Sequence, residues 1–441
     1  MKYQGLLIIA AFFIACLLGE QEFRIVNKCP VFGLKDRIFI VEKGSFLPWL
    51  FPSSSSYAKL FSDTEFIYDF IVPHLREEEK CTIKDSDKFK MMFPSAIWLP
   101  EKEMFLTIVR ISINSRKSFL YASLYDSDWN EIFAEEMIGR TLVPGTLFID
   151  GPEWGMQNLG PEDPRIFKVN DNEVYVIFNM LDYDNKRKMW LYSFSSGAFY
   201  PLSLSIHKEL NFYIEKNWTP IIIDDGCIYF VYNYKNFQII DCTDLTNPCT
   251  QISGKYDKTP SGLRGGSPYI QYRSTDYYIS LAYTHIEFSK VNNRCHIYRP
   301  SLTLVKVSKN PLHFELIYTS EPLDFQGKLF LEPITNYKSL EDVGLCGDGR
   351  IMMALSISRW NYEKDVVDIT FSLNDTIPVA AKVSGLTELV DEVIFWYEKE
   401  KLPREDRCAE RLAYVNYDVD QTKRNRDKVE VLDAHYVAEW K

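Results

Sequence analysis

The sequence predicts an all-β chain and, among all-β architectures, a β-propeller. Three observations lead there. Between residues 96 and 385, short aromatic or β-branched runs recur, each bounded by Asp, Asn, Gly or Pro. Helical periodicity is nearly missing over the same stretch. A span of roughly 290 residues is too long for a simple sandwich. No tryptophan–aspartate or kelch repeat marks the blades, so symmetry is not written in the sequence.

The elements follow in order. Residues 5–18, GLLIIAAFFIACLL, form an uninterrupted apolar run behind Lys2. Its length suits a signal-peptide core better than a full membrane span, which needs about 20 residues. Leu17 and Leu18 stand where a cleavage site wants small residues, so an uncleaved signal-anchor over residues 1–20 is the alternative. Lys2 favours a cytoplasmic N-terminus. Either way the remainder enters the secretory pathway. Residues 21–95 read as a stem and N-terminal wrapping segment, with PSSSS at 52–56 and a solvated charge run, REEEK, at 76–80. The strands of the 96–385 domain include MFLTIVRISI, SFLYASLYD, EVYVIFNML, KMWLYSFS and GCIYFVYNY. They continue through PYIQY, YYISLAYTHI, LTLVKVS, FELIYTS, RIMMALSIS and VVDITFSL. In LTELVDEVIFWYEKEK, Leu389, Val390, Val393, Ile394 and Tyr397 share one helical face before Pro403. Residues 386–441 therefore read as a helical C-terminal extension packed on the β domain.

Of the 441 residues 46% are hydrophobic, ample for a core, and 50 basic against 61 acidic residues give a net charge of −11. A basic footprint is absent, so nucleic acid is excluded as a partner. Cys16 lies inside the apolar run. Cys29, Cys81, Cys227, Cys242, Cys249, Cys295, Cys346 and Cys408 form an even set, suited to an oxidising lumen. Cys242 and Cys249 flank the turn-rich TDLTNP and are the expected local disulfide. No Cys or His pair has zinc-ligand spacing.

Polar clusters stand at several strand ends. In GPEDPRIF, Pro161 and Pro164 restrain Glu162 and Asp163, and Arg165 follows. Taken alone, this is more often a salt-bridged corner than a catalytic carboxylate. In EKNWTP, Lys216 can hold a phosphate and Trp218 can stack on a sugar face. Asn217 heads a glycosylation sequon that so constrained a site is not expected to use, and NDT at Asn374 is another. SGLRGGSPYI sets Arg264 against two glycines that allow close backbone approach to a ligand. YTHIEF and CHIYRP add His285, Tyr298 and Arg299. Asp-x-Asp occurs at 85–87, 126–128, 182–184 and 418–420, none in a nucleotide-binding α/β context, so all four read as loops.

Together and in this order, these segments resemble the fungal β-1,2-mannosyltransferase family. They are GPEDPRIF with VYVIFNM, EKNWTPIII with IYFVYNY, LRGGSP, YTHIEF with NRCHIYRP, and GDGRIMMALSISRWNYEKDVVDITFSLND, spanning about residues 90–385. The EDPR segment is also similar to that of β-mannoside phosphorylases, which are five-bladed propellers. The resemblance implies five blades with the site at the central axis, in a type II Golgi membrane protein or another secretory compartment. It implies inverting transfer of mannose from GDP-mannose to a mannoside acceptor of cell-wall mannan or glycolipid. Asp163 is then the base, used directly or through a sugar hydroxyl, with Glu162 or Arg165 orienting it. Lys216, Arg264, His285 and Arg299 meet the charge of departing GDP, so no metal or other cofactor is expected. Trp218 and Tyr298 stack on sugar rings, and Asn179 either hydrogen-bonds a mannose hydroxyl or caps its strand. The alternatives are a phosphorylase or hydrolase on the same scaffold, or a non-catalytic mannan-binding propeller.

Overall fold

The computed structural model describes residues 39–41, 58–61, 64–71, 73, 89–113, 117–147, 160–182, 186–205, 215–223, 226–255, 262–290, 293–323 and 351–399. Short strands β1 (Phe39–Val41) and β2 (Ala58–Lys59) precede helix α1 (Thr64–Ile71). The first blade runs β3 (Phe89–Leu99), β4 (Met104–Ile113), β5 (Lys117–Tyr125) and β6 (Glu131–Ile132). A separate hairpin of β7 (Glu136–Ile138) and β8 (Thr141–Val143) follows, and β9 (Gly145–Leu147) returns to pair with β5. Blade two is β10 (Glu162–Asn170), β11 (Glu173–Leu181), β12 (Arg187–Ser193) and β13 (Phe199–Pro201). Blade three is β14 (Thr219–Ile223), β15 (Cys227–Asn233), β16 (Gln238–Asp241) and β17 (Thr250–Ser253). Blade four joins β18 (Leu263–Arg264) and β19 (Ile270–Gln271) to β20 (Tyr277–Lys290), then β21 (Asn293–Lys309) and β22 (Leu312–Pro322). Blade five is β23 (Met352–Asn361), β24 (Val366–Leu373) and β25 (Ile377–Ser384), with β1 and β2 pairing to the outer edge of β25. All pairing within the blades is antiparallel, and the architecture is an all-β five-bladed propeller.

Side-chain alternation explains both the blades and the ring. In β4, Phe105, Val109 and Ile111 enter the core shared with blade five, while Leu106 and Ile108 enter the core shared with blade two. Both faces are buried, so such strands read as continuous apolar runs rather than as alternation. Further cores join blades two and three, three and four, and four and five. Ala380 of β25 in the first blade's core closes the circle. Near the axis, hydroxyls knit the inner strands together. Ser95 Oγ accepts from Ile166 N at 3.0 Å and donates to Leu355 O at 3.2 Å, tying blades one, two and five. Ser356 Oγ accepts from Ala96 N at 2.9 Å. These hydroxyls satisfy backbone groups that no neighbouring strand can reach.

Helix α2 (Leu386–Glu398) lays Leu386, Leu389, Val390 and Val393 on blades four and five. Asp365 caps its start, accepting from Gly385 N at 2.7 Å and Thr387 N at 2.9 Å. Cys242 and Cys249 form the local disulfide, whereas Cys227 is a free thiol on the core between blades three and four. Of the Asp-x-Asp sites, 126–128 is a turn, in which Asp126 Oδ1 accepts from Asp128 N at 2.8 Å and Asn130 N at 2.9 Å. The sites at 85–87 and 418–420 lie outside the described residues, as do the 1–20 segment and everything after residue 399. Among the described residues no helix is long and apolar enough to cross a membrane.

Candidate active site

The polar centre is built on the first residues of β10. Gly160 has φ 98°, and a Cβ there would collide with Ser118 O; Ser118 Oγ in turn donates to Pro161 O at 2.7 Å. The chain thus meets blade one in a fixed direction. Glu162 pairs with Asn179 and Arg165 with Ile177, so one extra residue sits in β10. This bulge re-aims the side chains beside it. Asp163 takes a left-handed conformation, φ 54°, uncommon for a residue with a side chain.

Two arginines absent from the sequence-derived site then clamp the acids. Arg110 of β4 places Nη2 2.7 Å from Glu162 Oε1 and Nη1 3.8 Å from Asp163 Oδ1. Arg187, which opens β12, places Nη1 3.1 Å from Glu162 Oε2. Burial nevertheless raises the Glu162 carboxyl above the usual range, against the pull of both arginines. Asn179 bridges the pair. Its Nδ2 donates to Asp163 Oδ2 at 3.4 Å and to Glu162 O at 3.2 Å, and its Oδ1 accepts from Arg187 Nη1 at 2.7 Å. The side chain of Asp163 remains 19% exposed. It is held, yet reachable.

Arg165 reaches inward, away from the exposed edge of Asp163. It is 1% exposed. Its Nε donates to Gly266 O at 2.6 Å, Nη1 to Asp163 O at 2.9 Å, and Nη2 to the Tyr283 hydroxyl at 3.3 Å. A blade-two side chain thus reaches blade four inside the ring and fixes the backbone of Asp163. Gly265 must be glycine, because a Cβ would overlap the Tyr283 ring and crowd Arg165 Nη2.

Blade three contributes Glu215 to Trp218. Lys216 is exposed, and its charge reaches Glu162. Asn217, φ 67°, accepts from the Tyr283 hydroxyl at 2.6 Å, which turns the sequon amide inward. Trp218 is 1% exposed and lies against Phe230 and Tyr232, so the structure assigns it to the core rather than to a sugar face. Its Nε1 and the Tyr232 hydroxyl donate to Glu215 at 3.2 and 3.3 Å. Burial pushes the Glu215 carboxyl up to about 7.

On blade four, Arg264 pairs with Tyr283 and His285 with Tyr298 in the strand register. The His285 ring lies 4.6 Å from that of Tyr298, which is 5.7 Å from Tyr283. Arg299 belongs to the opposite face of β21, is buried, and donates from Nη1 to Tyr298 O at 2.9 Å. The structure therefore gathers Glu162, Asp163, Asn179, Lys216, Arg264, His285 and Tyr298 around one end of the ring, and places Trp218 and Arg299 elsewhere. Blade five supplies Asp375, which sequence reasoning missed; burial pushes it up to about 6, and the charges of Asp163 and Arg110 both reach it. Its only sequence signal is its place beside Asn374 in a two-residue turn. Among the described residues no group of three or more His, Cys, Asp or Glu stands close enough to hold a metal.

Fold and site together define a five-bladed propeller with an arginine-clamped acidic centre at one end of its axis. A sequence profile described as Beta-mannosyltransferases matches residues 199–429. The chain belongs to the beta-mannosyltransferase family. Beta-mannosyltransferase 4 of Komagataella phaffii (strain GS115) is 29% identical over 352 residues, covering 72% of this chain and 68% of that protein. Beta-mannosyltransferase 1 of the same yeast is 26% identical, with 75% and 56% covered. Beta-mannosyltransferase 3 of Candida albicans (strain SC5314) is 27% identical, with 78% and 67% covered. Among solved structures, an endo-arabinase from Bacteroides thetaiotaomicron covers 67% of this chain and 94% of its own at a TM-score of 0.35 and 15% identity. A thermostable family-43 glycoside hydrolase covers 67% and 89%, at 0.36 and 13%.

Proposed function

We propose that this protein is an inverting β-1,2-mannosyltransferase that moves mannose from GDP-mannose to a mannoside acceptor of cell-wall mannan or glycolipid. The observation that carries the reading is Asp163. It is a carboxylate held in strained backbone at a bulge, fixed by Asn179 and Arg165, and still open to a ligand. The donor's α linkage and a β product require one displacement at the anomeric carbon. The acceptor oxygen forms the new bond, its proton passes to Asp163 directly or through a sugar hydroxyl, and the electron pair of the broken bond leaves on GDP. Lys216 and Arg264 are the groups assigned to the diphosphate charge, with His285 as a further donor, and on this reading the step proceeds without a metal. Tyr298, half-buried beside His285, offers an aromatic face to a sugar ring. The same reading puts the protein in the Golgi membrane through residues 1–20.

The test is Asp163→Asn assayed for GDP release and for the linkage of the product formed on defined manno-oligosaccharides. A fall of about 10²- to 10⁴-fold in turnover with an unchanged melting temperature is expected. Full activity in this variant rules the assignment out, and release of mannose 1-phosphate from a β-mannoside would point to a phosphorylase instead.

A further inference from the structure

Asp375 carries two costs at once. It sits with Asn374 at the centre of the β24–β25 hairpin turn, closed by Thr376 N donating to Leu373 O at 3.1 Å. Both central residues have φ 54°. A turn of this type favours glycine at its second central position, where aspartate is tolerated better than most side chains but less well than glycine. Its Oδ1 is also buried, without a hydrogen-bond partner among the described residues. Either cost would be removed by a glycine, at no loss to the hairpin. A buried acceptor in this state calls for a ligand or a water as its partner, and unfavourable backbone of this kind clusters at ligand sites.

The surroundings say which ligand. Asp375 feels Asp163, Arg110 and Lys90, so it belongs to the same electrostatic neighbourhood as the proposed base, reached from blade five rather than blade two. A carboxylate there repels a diphosphate and accepts hydrogen bonds from hydroxyls. It also favours the positive charge that gathers on a sugar ring as its glycosidic bond breaks. In the transferase reading Asp163 serves the acceptor side of the reacting carbon, and Asp375 reaches the same neighbourhood from another blade.

We propose that the Asp375 carboxylate binds hydroxyls of the mannosyl ring being transferred and is a determinant of sugar specificity. This rests on the transferase reading above. Asp375→Gly is the decisive variant, because it relieves the turn while deleting the ligand group. It is expected to melt at or above the wild-type temperature, yet to lose about 10- to 100-fold in kcat/KM for GDP-mannose. Donors lacking one ring hydroxyl at a time extend the test. The hydroxyl bound by Asp375 matters to the wild type and ceases to matter in Asp375→Gly.

A variant within about twofold of wild type in kcat/KM overturns the proposal. So do deoxy-donor losses that are identical in the two proteins. Should Asp375→Gly not fold, Asp375→Asn, which also tolerates left-handed backbone, carries the same comparison. Binding of methyl α-mannoside, followed by ligand-observed NMR without any donor, separates this inference from the reading beneath it. If the wild type transfers nothing from GDP-mannose, but binds the mannoside and loses it on Asp375→Gly, the transferase reading fails and the sugar site stands. If the mannoside binds equally to both proteins, the sugar site fails.

Discussion

Glu215 is a buried carboxyl whose hydrogen bonds come from a tryptophan and a tyrosine. With its folded value at about 7 against an ordinary 4.5, the folded protein holds a proton there that the unfolded chain releases. Stability from this residue is therefore fully present below about pH 4.5 and falls as pH rises towards 7, by about 3 kcal/mol in total. Glu215→Gln should flatten that part of the profile, as thermal melts between pH 5 and 7.5 would show. A wild-type melting temperature no more pH-dependent than the variant's would contradict it. At this scale the sequence revealed some of the site and hid the rest. Glu162 and Asp163 were legible because two prolines advertise a rigid acidic corner. Arg110 was not, since it is embedded in the apolar run LTIVRIS, where a charged residue reads as an outward position on a strand. Trp218 misled for the opposite reason. A tryptophan among Lys, Asn and Pro looks exposed, but β14 begins one residue later and draws the ring into the core.

Elements were easier to read than their edges. Strands buried on both faces left unmistakable apolar runs, and the amphipathic stretch after residue 385 coincides with α2. Strands of two or three residues, such as β1, β2, β18 and β19, hold their places through ladder bonds and show no side-chain pattern to find. β3 shows no clear strand signal for a distinct reason: Pro94 lies within it. The proline is accommodated because a register shift between Met92 and Ser95 breaks the ladder there. For α2, the cap is remote in sequence, supplied by Asp365 from the β23–β24 turn. Asp365→Ala should cost about 0.5–2 kcal/mol of stability without altering transfer, measured by urea denaturation alongside turnover. A loss of activity at unchanged stability would mean that the helix does more than pack.

For the whole molecule, the decisive feature is how the circle is shut. The last blade borrows β1 and β2 from the far end of the chain, and Leu60 and Phe61, just beyond β2, are fully buried in the core between blades five and one. Phe61 N also donates to the Tyr125 hydroxyl at 2.8 Å. Phe61→Ala should therefore destabilise the entire propeller by about 3–5 kcal/mol and lower a single cooperative transition, because loosening the latch frees both flanking blades. Separate early melting of one blade, seen by near-UV and far-UV signals that fail to coincide, would argue that closure is local.

The buried arginine of blade two has a consequence for traffic. By reaching Gly266 and Tyr283 on blade four, Arg165 ties two non-adjacent blades together across the ring. A tunnel open at both ends could let a growing polysaccharide slide through, whereas a cup with one mouth cannot. Under the proposed function, an acceptor that meets Asp163 enters on its side of Arg165, and the lengthened product leaves the same way. Each addition then ends in release. Product made with limiting enzyme should be a narrow ladder that climbs one sugar at a time, not a few long chains beside untouched starting material.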